Sequence, residues 1–105
     1  MSKTSRTKIS VDRYLVDTLM RELVGEARQP SAFLVYLCLS ARTAEQRARK
    51  VAASYQQLAD ETGLSRSAVQ AAVGLLIERK LLKVERAART STPSYLVERP
   101  WLGRR

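Results

Sequence analysis

Near the N-terminus, apolar residues recur at every fourth position, Val11, Leu15, Leu19 and Leu23, with Tyr14, Met20 and Val24 beside them. Preceded by Ser10 as an N-cap, this spacing predicts an amphipathic helix that ends near Gly25. Its apolar face must cover either the rest of the domain or the same helix of a second subunit. Gln29-Pro30-Ser31 then restarts the chain, because proline suits the first turn of a helix and not its interior. The apolar segment 32–41 is nearly continuous, and its length alone fits a buried strand or a buried helix. The Pro-Ser start and the helix-forming residues Ala44 to Arg49 after it favour a helix.

Val51-Ala52-Ala53 reads as a short apolar link or a brief strand. Ser54-Tyr55-Gln56-Gln57 fits a capping box, in which the Ser54 hydroxyl and the Gln57 amide each satisfy a free backbone N–H at a helix start. The helix that begins at Tyr55 carries Leu58, Ala59 and Thr62 and stops at Gly63, a residue that takes the left-handed conformation without a Cβ clash. One residue later Ser65 caps another helix, with an inward stripe of Ala68, Val69, Ala72, Val73, Leu76 and Ile77 and an end around Arg79-Lys80. Residues 81–86 and 94–98 have strand composition and are separated by a polar segment, which predicts a β-hairpin with a long tip. Trp101 is placed to pin the chain end to the core. The expected fold is mainly α with a small β-hairpin, plus an extra N-terminal amphipathic helix.

Composition sharpens this picture. A chain of 105 residues with 45% hydrophobic residues, 4 Gly and 3 Pro has the size and content of one folded domain. Nineteen Lys and Arg against 10 Asp and Glu give a formal charge of +9, which favours a polyanionic partner over a merely basic soluble protein. There is no His and a single cysteine, Cys38, inside an apolar run, where it reads as a small buried hydrophobe. No disulfide within the chain, no metal site and no cofactor are expected. Catalysis is not expected either, since general acid-base chemistry recruits His or paired carboxylates in a cleft, and only Asp60-Glu61 cluster, on a helix face read as solvated. The longest apolar stretch is far too short to span a bilayer, and no signal-like apolar block follows Met1 to Arg6, so a cytoplasmic location is expected.

The stretch Tyr55-Gln-Gln-Leu-Ala-Asp-Glu-Thr-Gly-Leu-Ser-Arg-Ser-Ala-Val69 resembles the helix-turn-helix of bacterial regulators. In that resemblance the small Ala59 lets two helices approach, Gly63 makes the turn, and Leu58, Leu64 and Val69 close the wedge between them. Followed by residues 75–82 and a basic hairpin, it is similar to the winged-helix domain of gluconate-repressor-type regulators and plasmid replication initiators. Arg79-Lys80 departs from the pattern, standing where many relatives carry an acidic residue and Gly. The resemblance, which covers Ala53 to Val97 most fully and weakens before Pro30, implies a winged helix-turn-helix over residues 28–105; by their own pattern residues 10–27 read as a preceding helix and residues 1–9 as a flexible basic arm or an ordinary frayed terminus.

It also implies a site. The second helix of such a motif enters the major groove, so Arg66, Ser67, Gln70, Ala71 and Gly74 are the base-reading candidates. Arg pairs with guanine and Gln with adenine through two hydrogen bonds each, while Ala71 and Gly74 leave room to approach the groove floor. Gly74 has a second reading, tight helix packing. Ser54, Tyr55, Ser65, Lys83, Arg86, Arg89, Thr90 and Thr92 are the phosphate or wing candidates, with Ser67 on either list and Arg89 alternatively in the minor groove. Residues 42–50, with four basic residues and one acid, are a solvated helix end or a phosphate-contacting loop. The implied function is a double-stranded DNA-binding regulator of transcription or replication, acting as a homodimer through Val11, Leu15, Leu19 and Leu23. The competing reading is a winged-helix scaffold that binds another protein.

Overall fold

In the computed structural model, which describes residues 8–102, one long helix packs against the N-terminal helix, both later helices and two strands of the sheet. That helix, α1 (Pro30–Gln46), begins with proline at its first position and buries Ala32, Phe33, Val35, Tyr36 and Leu39. The segment whose pattern favours helix over strand is indeed helical, and the chain end expected to be an arm lies, apart from Lys8 and Ile9, outside the described residues. After α1 come β1 (Lys50–Ala52), α2 (Tyr55–Thr62), α3 (Arg66–Glu78), β2 (Leu82–Glu85), β3 (Ser94–Val97) and a 3₁₀ turn, Pro100–Leu102. The three strands form one antiparallel sheet in the order β1-β3-β2. The protein is thus mainly helical with a small sheet. The hairpin expected from composition is present, and the link before α2 joins it as a third strand. Among the described residues no helix is long and apolar enough to cross a membrane.

The N-terminal helix begins at Arg13, with the Leu15 amide donating to the Asp12 carbonyl, so Asp12 rather than Ser10 stands at its start. Most of it is π-helical, over Leu15–Leu19 and Arg21–Glu26. Leu15, Leu19 and Leu23 are 1–3% exposed and packed within the chain's own core. They are therefore closed to a second subunit, and Val11, at 41%, is the only expected interface residue on the surface. Periodicity had left open which body covers the stripe; it is the rest of the domain.

Ser54 accepts from the Gln57 amide at 3.0 Å while its own amide donates to Gln57 Oε1 at 2.8 Å, completing the capping box. Gly63 closes α2 at φ +84°, and Ser65 caps α3 by accepting from the Ala68 amide at 3.1 Å. At the end of α3 the Lys80 amide donates to the Ile77 carbonyl and the Leu81 amide to the Leu76 carbonyl, with both leucines buried. This is a Schellman ending, which wants glycine in its left-handed position, and Lys80 occupies it at φ +64°. Replacing Lys80 by Gly is expected to stabilise the fold by about 0.5–1 kcal/mol, because relief of the side-chain clash exceeds the added freedom of the unfolded chain. A thermal melt should rise by a few degrees, and a fall would contradict the assigned strain. Ile77, expected to face inward, is instead 38% exposed.

Tyr36 and Tyr95 are the largest fully buried side chains. Tyr95 pairs across the sheet with Val51 and Val84, and burial pushes its phenol up to about 12. Tyr36 donates to the Glu98 carbonyl at 2.6 Å and meets Trp101 edge-on. Trp101 in turn stacks on Tyr14 at 4.5 Å and donates to Asp12 Oδ2 at 3.1 Å. The chain end is pinned to the N-terminal helix as well as to α1.

Candidate functional site

At one end of the sheet the Ala53 amide donates to the Pro93 carbonyl, tying the start of α2 to the end of the 86–93 loop. Between them lies an open concavity of about 210 Å³. Six of the expected site residues line it: Ser54 and Tyr55 at the start of α2, Arg66 at the start of α3, and Arg86, Thr90 and Thr92 from the loop. Gln56, Ser91 and Pro93 complete the lining. Sequence reasoning missed these three, although Gln56 is exposed and directly follows Tyr55 at the same helix start.

The loop has an internal tie. One guanidinium nitrogen of Arg86, Nη1, donates to the Ser91 carbonyl at 2.9 Å and to the Arg89 carbonyl at 3.3 Å, so Arg86 holds the loop tip as well as lining the concavity. Arg89, Thr90 and Thr92 are exposed along it. The Ser54 hydroxyl accepts from the Gln57 N–H, which leaves its own proton free to donate, whereas the Ser65 hydroxyl accepts from the Ala68 N–H and also shares a hydrogen bond of 3.3 Å with the Ser67 hydroxyl. Lys83 stands apart. It sits on β2 opposite Leu96, toward the other end of the sheet, with its ammonium 4.0 Å from Glu98.

Beside the concavity, Arg66, Ser67, Gln70, Ala71 and Gly74 are all exposed along α3. Nothing lies within 4 Å of where a Cβ on Gly74 would stand. Tight helix packing therefore does not account for this glycine. The face presents one cation, one hydroxyl, one amide and two small residues, with no carboxylate among them.

The acidic pair Asp60-Glu61 is exposed at both positions, as expected, but the two carboxylates take different partners. Asp60 is exposed and accepts from the Gln56 amide at 2.9 Å. Glu61 instead turns back to α1, where Arg42 grips both carboxylate oxygens and the Cys38 thiol donates to Oε1 at 3.3 Å. Arg42 also donates to the Ala52 carbonyl at 3.4 Å, so one guanidinium joins α1, α2 and β1. Cys38 is half-buried and hydrogen-bonded rather than a purely apolar filler; burial, then Glu61, push its thiol up to about 11. Residues 42–50 accordingly divide: Arg42 is structural, Lys50 pairs with Glu85, and α1 stops where Arg47 turns left-handed at φ +54°.

The Arg42 hydrogen bonds hold the Glu61 carboxyl below the usual carboxylate range, against an opposing effect of burial. A group depressed in the folded state stabilises it above the unfolded pKa of about 4.3, and that contribution is lost as pH falls through the lower folded value. Glu61→Gln is expected to remove less than about 1 kcal/mol at neutral pH, because the carboxylate is 45% exposed and partly screened. Its denaturation curves should converge on the wild type in strong acid. A difference that persists undiminished there would disprove the linkage.

Comparison with known families, with curated proteins and with solved structures finds no match. The chemistry of the site therefore rests on its own residues. Among the described residues no group of three or more His, Cys, Asp or Glu is placed to hold a metal ion. What the arrangement offers is a set of hydroxyls and guanidiniums around an open concavity, next to a helix face of hydrogen-bonding and small side chains.

Proposed function

We propose that the protein binds double-stranded DNA as a winged helix-turn-helix, with α3 in the major groove and the 86–93 loop as the wing. The observation that carries this reading is the convergence of Arg66, Ser54, Tyr55, Arg86, Thr90 and Thr92 on one concavity beside the exposed face of α3. In this arrangement a backbone phosphate lies in the concavity, and Arg66 and Gln70 address base edges. The opening left by Gly74 and Ala71 brings the helix backbone close to the groove floor. The net charge of +9 supplies the long-range attraction and the counterion release that dominate such affinity. Regulation of transcription or of replication is the corresponding biological role.

A protein-binding scaffold is the less favoured reading. The α3 face carries no aromatic anchor, and Ile77 is its single large exposed hydrophobe. Fluorescence anisotropy with random-sequence duplex over a salt series, followed by selection from that pool, tests the proposal. Binding should weaken steeply with salt, with a logarithmic slope of about −0.9 for each phosphate neutralised, and the selected pool should share a sequence. Absence of duplex binding at low salt would refute DNA recognition, and binding without sequence enrichment would refute base reading.

A further inference from the structure

A second and larger groove, of about 520 Å³, opens at the far end of β3 from the concavity: Pro93, just before the strand, borders the one, and Val97, its last residue, borders the other. Three parts of the chain meet there, the start of the N-terminal helix, the end of α1 and the residues around the end of β3. The volume lies within the range of roughly 300–1,000 Å³ typical of small-molecule sites. Part of the lining is apolar, from Val11, Val97 and Leu102, and Val11 and Leu102 are 41% and 55% exposed.

The charged part of the lining has a surplus cation. α1 stops where Arg47 turns left-handed, and residues 47–49 then run along the groove, so that Arg47 and Arg49 both border it. Neither makes an ion pair among the described residues. The other charged residues of the lining are already engaged. Asp12 accepts from Trp101 at 3.1 Å and from Arg99 at 3.5 Å, and the Glu98 carboxylate lies 4.0 Å from the Lys83 ammonium. Three arginines against two carboxylates leave one positive charge unbalanced.

We propose that this groove binds a small organic carboxylate, its negative charge held by Arg47 and Arg49 and its apolar body laid over Val11, Val97 and Leu102. One surplus cation matches a monoanion. Guanidiniums without acid partners are free to make charge-assisted hydrogen bonds to a carboxylate, and covering exposed apolar side chains adds to the affinity. DNA does not fit this place: a duplex held as proposed above sits at the other end of β3, and a sugar-phosphate backbone gains little from an apolar lining. The carboxylate site goes beyond the DNA reading and is measured without DNA, so the two fail separately.

Amide NMR spectra of the full chain, titrated with naphthoate, test the proposal. A ligand of this size in an open groove should bind with a dissociation constant on the order of 0.5 mM, and the shifts should gather at residues 10–12, 43–49 and 97–102. Naphthamide keeps the apolar body without the charge, and acetate keeps the charge without the body; each should bind at least about tenfold more weakly. Arg47→Ala, Arg49→Ala should weaken naphthoate at least about tenfold, whereas Arg79→Ala, Lys80→Gly, which removes the same charge outside the groove, should change it less than about twofold. Leu102→Glu, at an exposed position, sets a carboxylate in the apolar part and should abolish binding. Absence of naphthoate binding, shifts scattered over the surface, equal binding of naphthamide or acetate, or equal losses from the two charge-removing pairs would each overturn the proposal.

Discussion

Replacing Arg66 and Gln70 together by alanine is expected to lower affinity for the selected duplex at least about 30-fold. Each bidentate base contact discriminates by ~1–3 kcal/mol, and two are removed. The loss on unrelated duplex should be only a few-fold, because one cation is a small part of a surface whose attraction comes from many. Both side chains are exposed, and the α3 start is capped by Ser65, so the fold should be unaffected. Paired anisotropy titrations on selected and unrelated duplex, with a thermal melt as control, separate the outcomes. Equal loss on both would reassign Arg66 to a phosphate contact. No loss on either would remove both residues from the interface. Comparing the two single variants then divides the roles, since Arg66 lines the concavity and Gln70 does not.

The largest effect on stability is expected at Tyr36. Tyr36→Ala removes a fully buried ring and should cost ~3–5 kcal/mol, a large share of the 5–15 kcal/mol that holds a domain of this size. Tyr36→Phe isolates the hydroxyl. Its donation to the Glu98 carbonyl secures the end of β3 to α1, and deleting it should cost ~1–2 kcal/mol by leaving a carbonyl without its partner. In a domain of about 100 residues that is a fall of roughly 5–15 °C in melting temperature. A Phe variant that melts with the wild type would show that water satisfies the carbonyl equally well. The consequence reaches beyond one bond, because Tyr36, Trp101, Tyr14 and Asp12 together join α1, the chain end and the N-terminal helix. Loosening Tyr36 should therefore also loosen the N-terminal helix.

The contrast between Leu19 and Met20 shows what a pattern can and cannot convey. Both are apolar, adjacent and on one amphipathic helix, yet Leu19 is 3% exposed and Met20 is 39%. Spacing identified the helix and its stripe. It could not say whether the stripe faced this chain or another, because periodicity gives a direction and carries no information about what lies in that direction. Glu61 makes the same point for charge. Its neighbour Asp60 has the same chemistry and is solvated, while Glu61 is taken up by Arg42, nineteen residues away. Such a pairing depends on how α1 crosses α2.

Local rules served well wherever the physics was local. The capping box at Ser54, the cap at Ser65, the left-handed turn at Gly63 and the proline start of α1 all follow from backbone groups within four residues of one another. So does the departure at Lys80: the chain needed a left-handed residue there, and a lysine supplies it under strain. The placement of helices and strands along the chain was legible for the same reason.

The sequence by itself determined the mainly helical course, the hairpin, the helix caps, the basic surplus and the polar face of α3, since each is set by composition or by neighbours close along the chain. The tertiary structure alone decided that Leu15, Leu19 and Leu23 close the core and leave Val16, Met20 and Val24 outside. It alone joined β1 to β3 so that Ser54, Arg66 and Thr92 surround one concavity, and set Lys83 at the other end of the sheet. Those are contacts between residues tens of positions apart, fixed by the common packing of the helices and the sheet and by no short-range preference of the residues themselves.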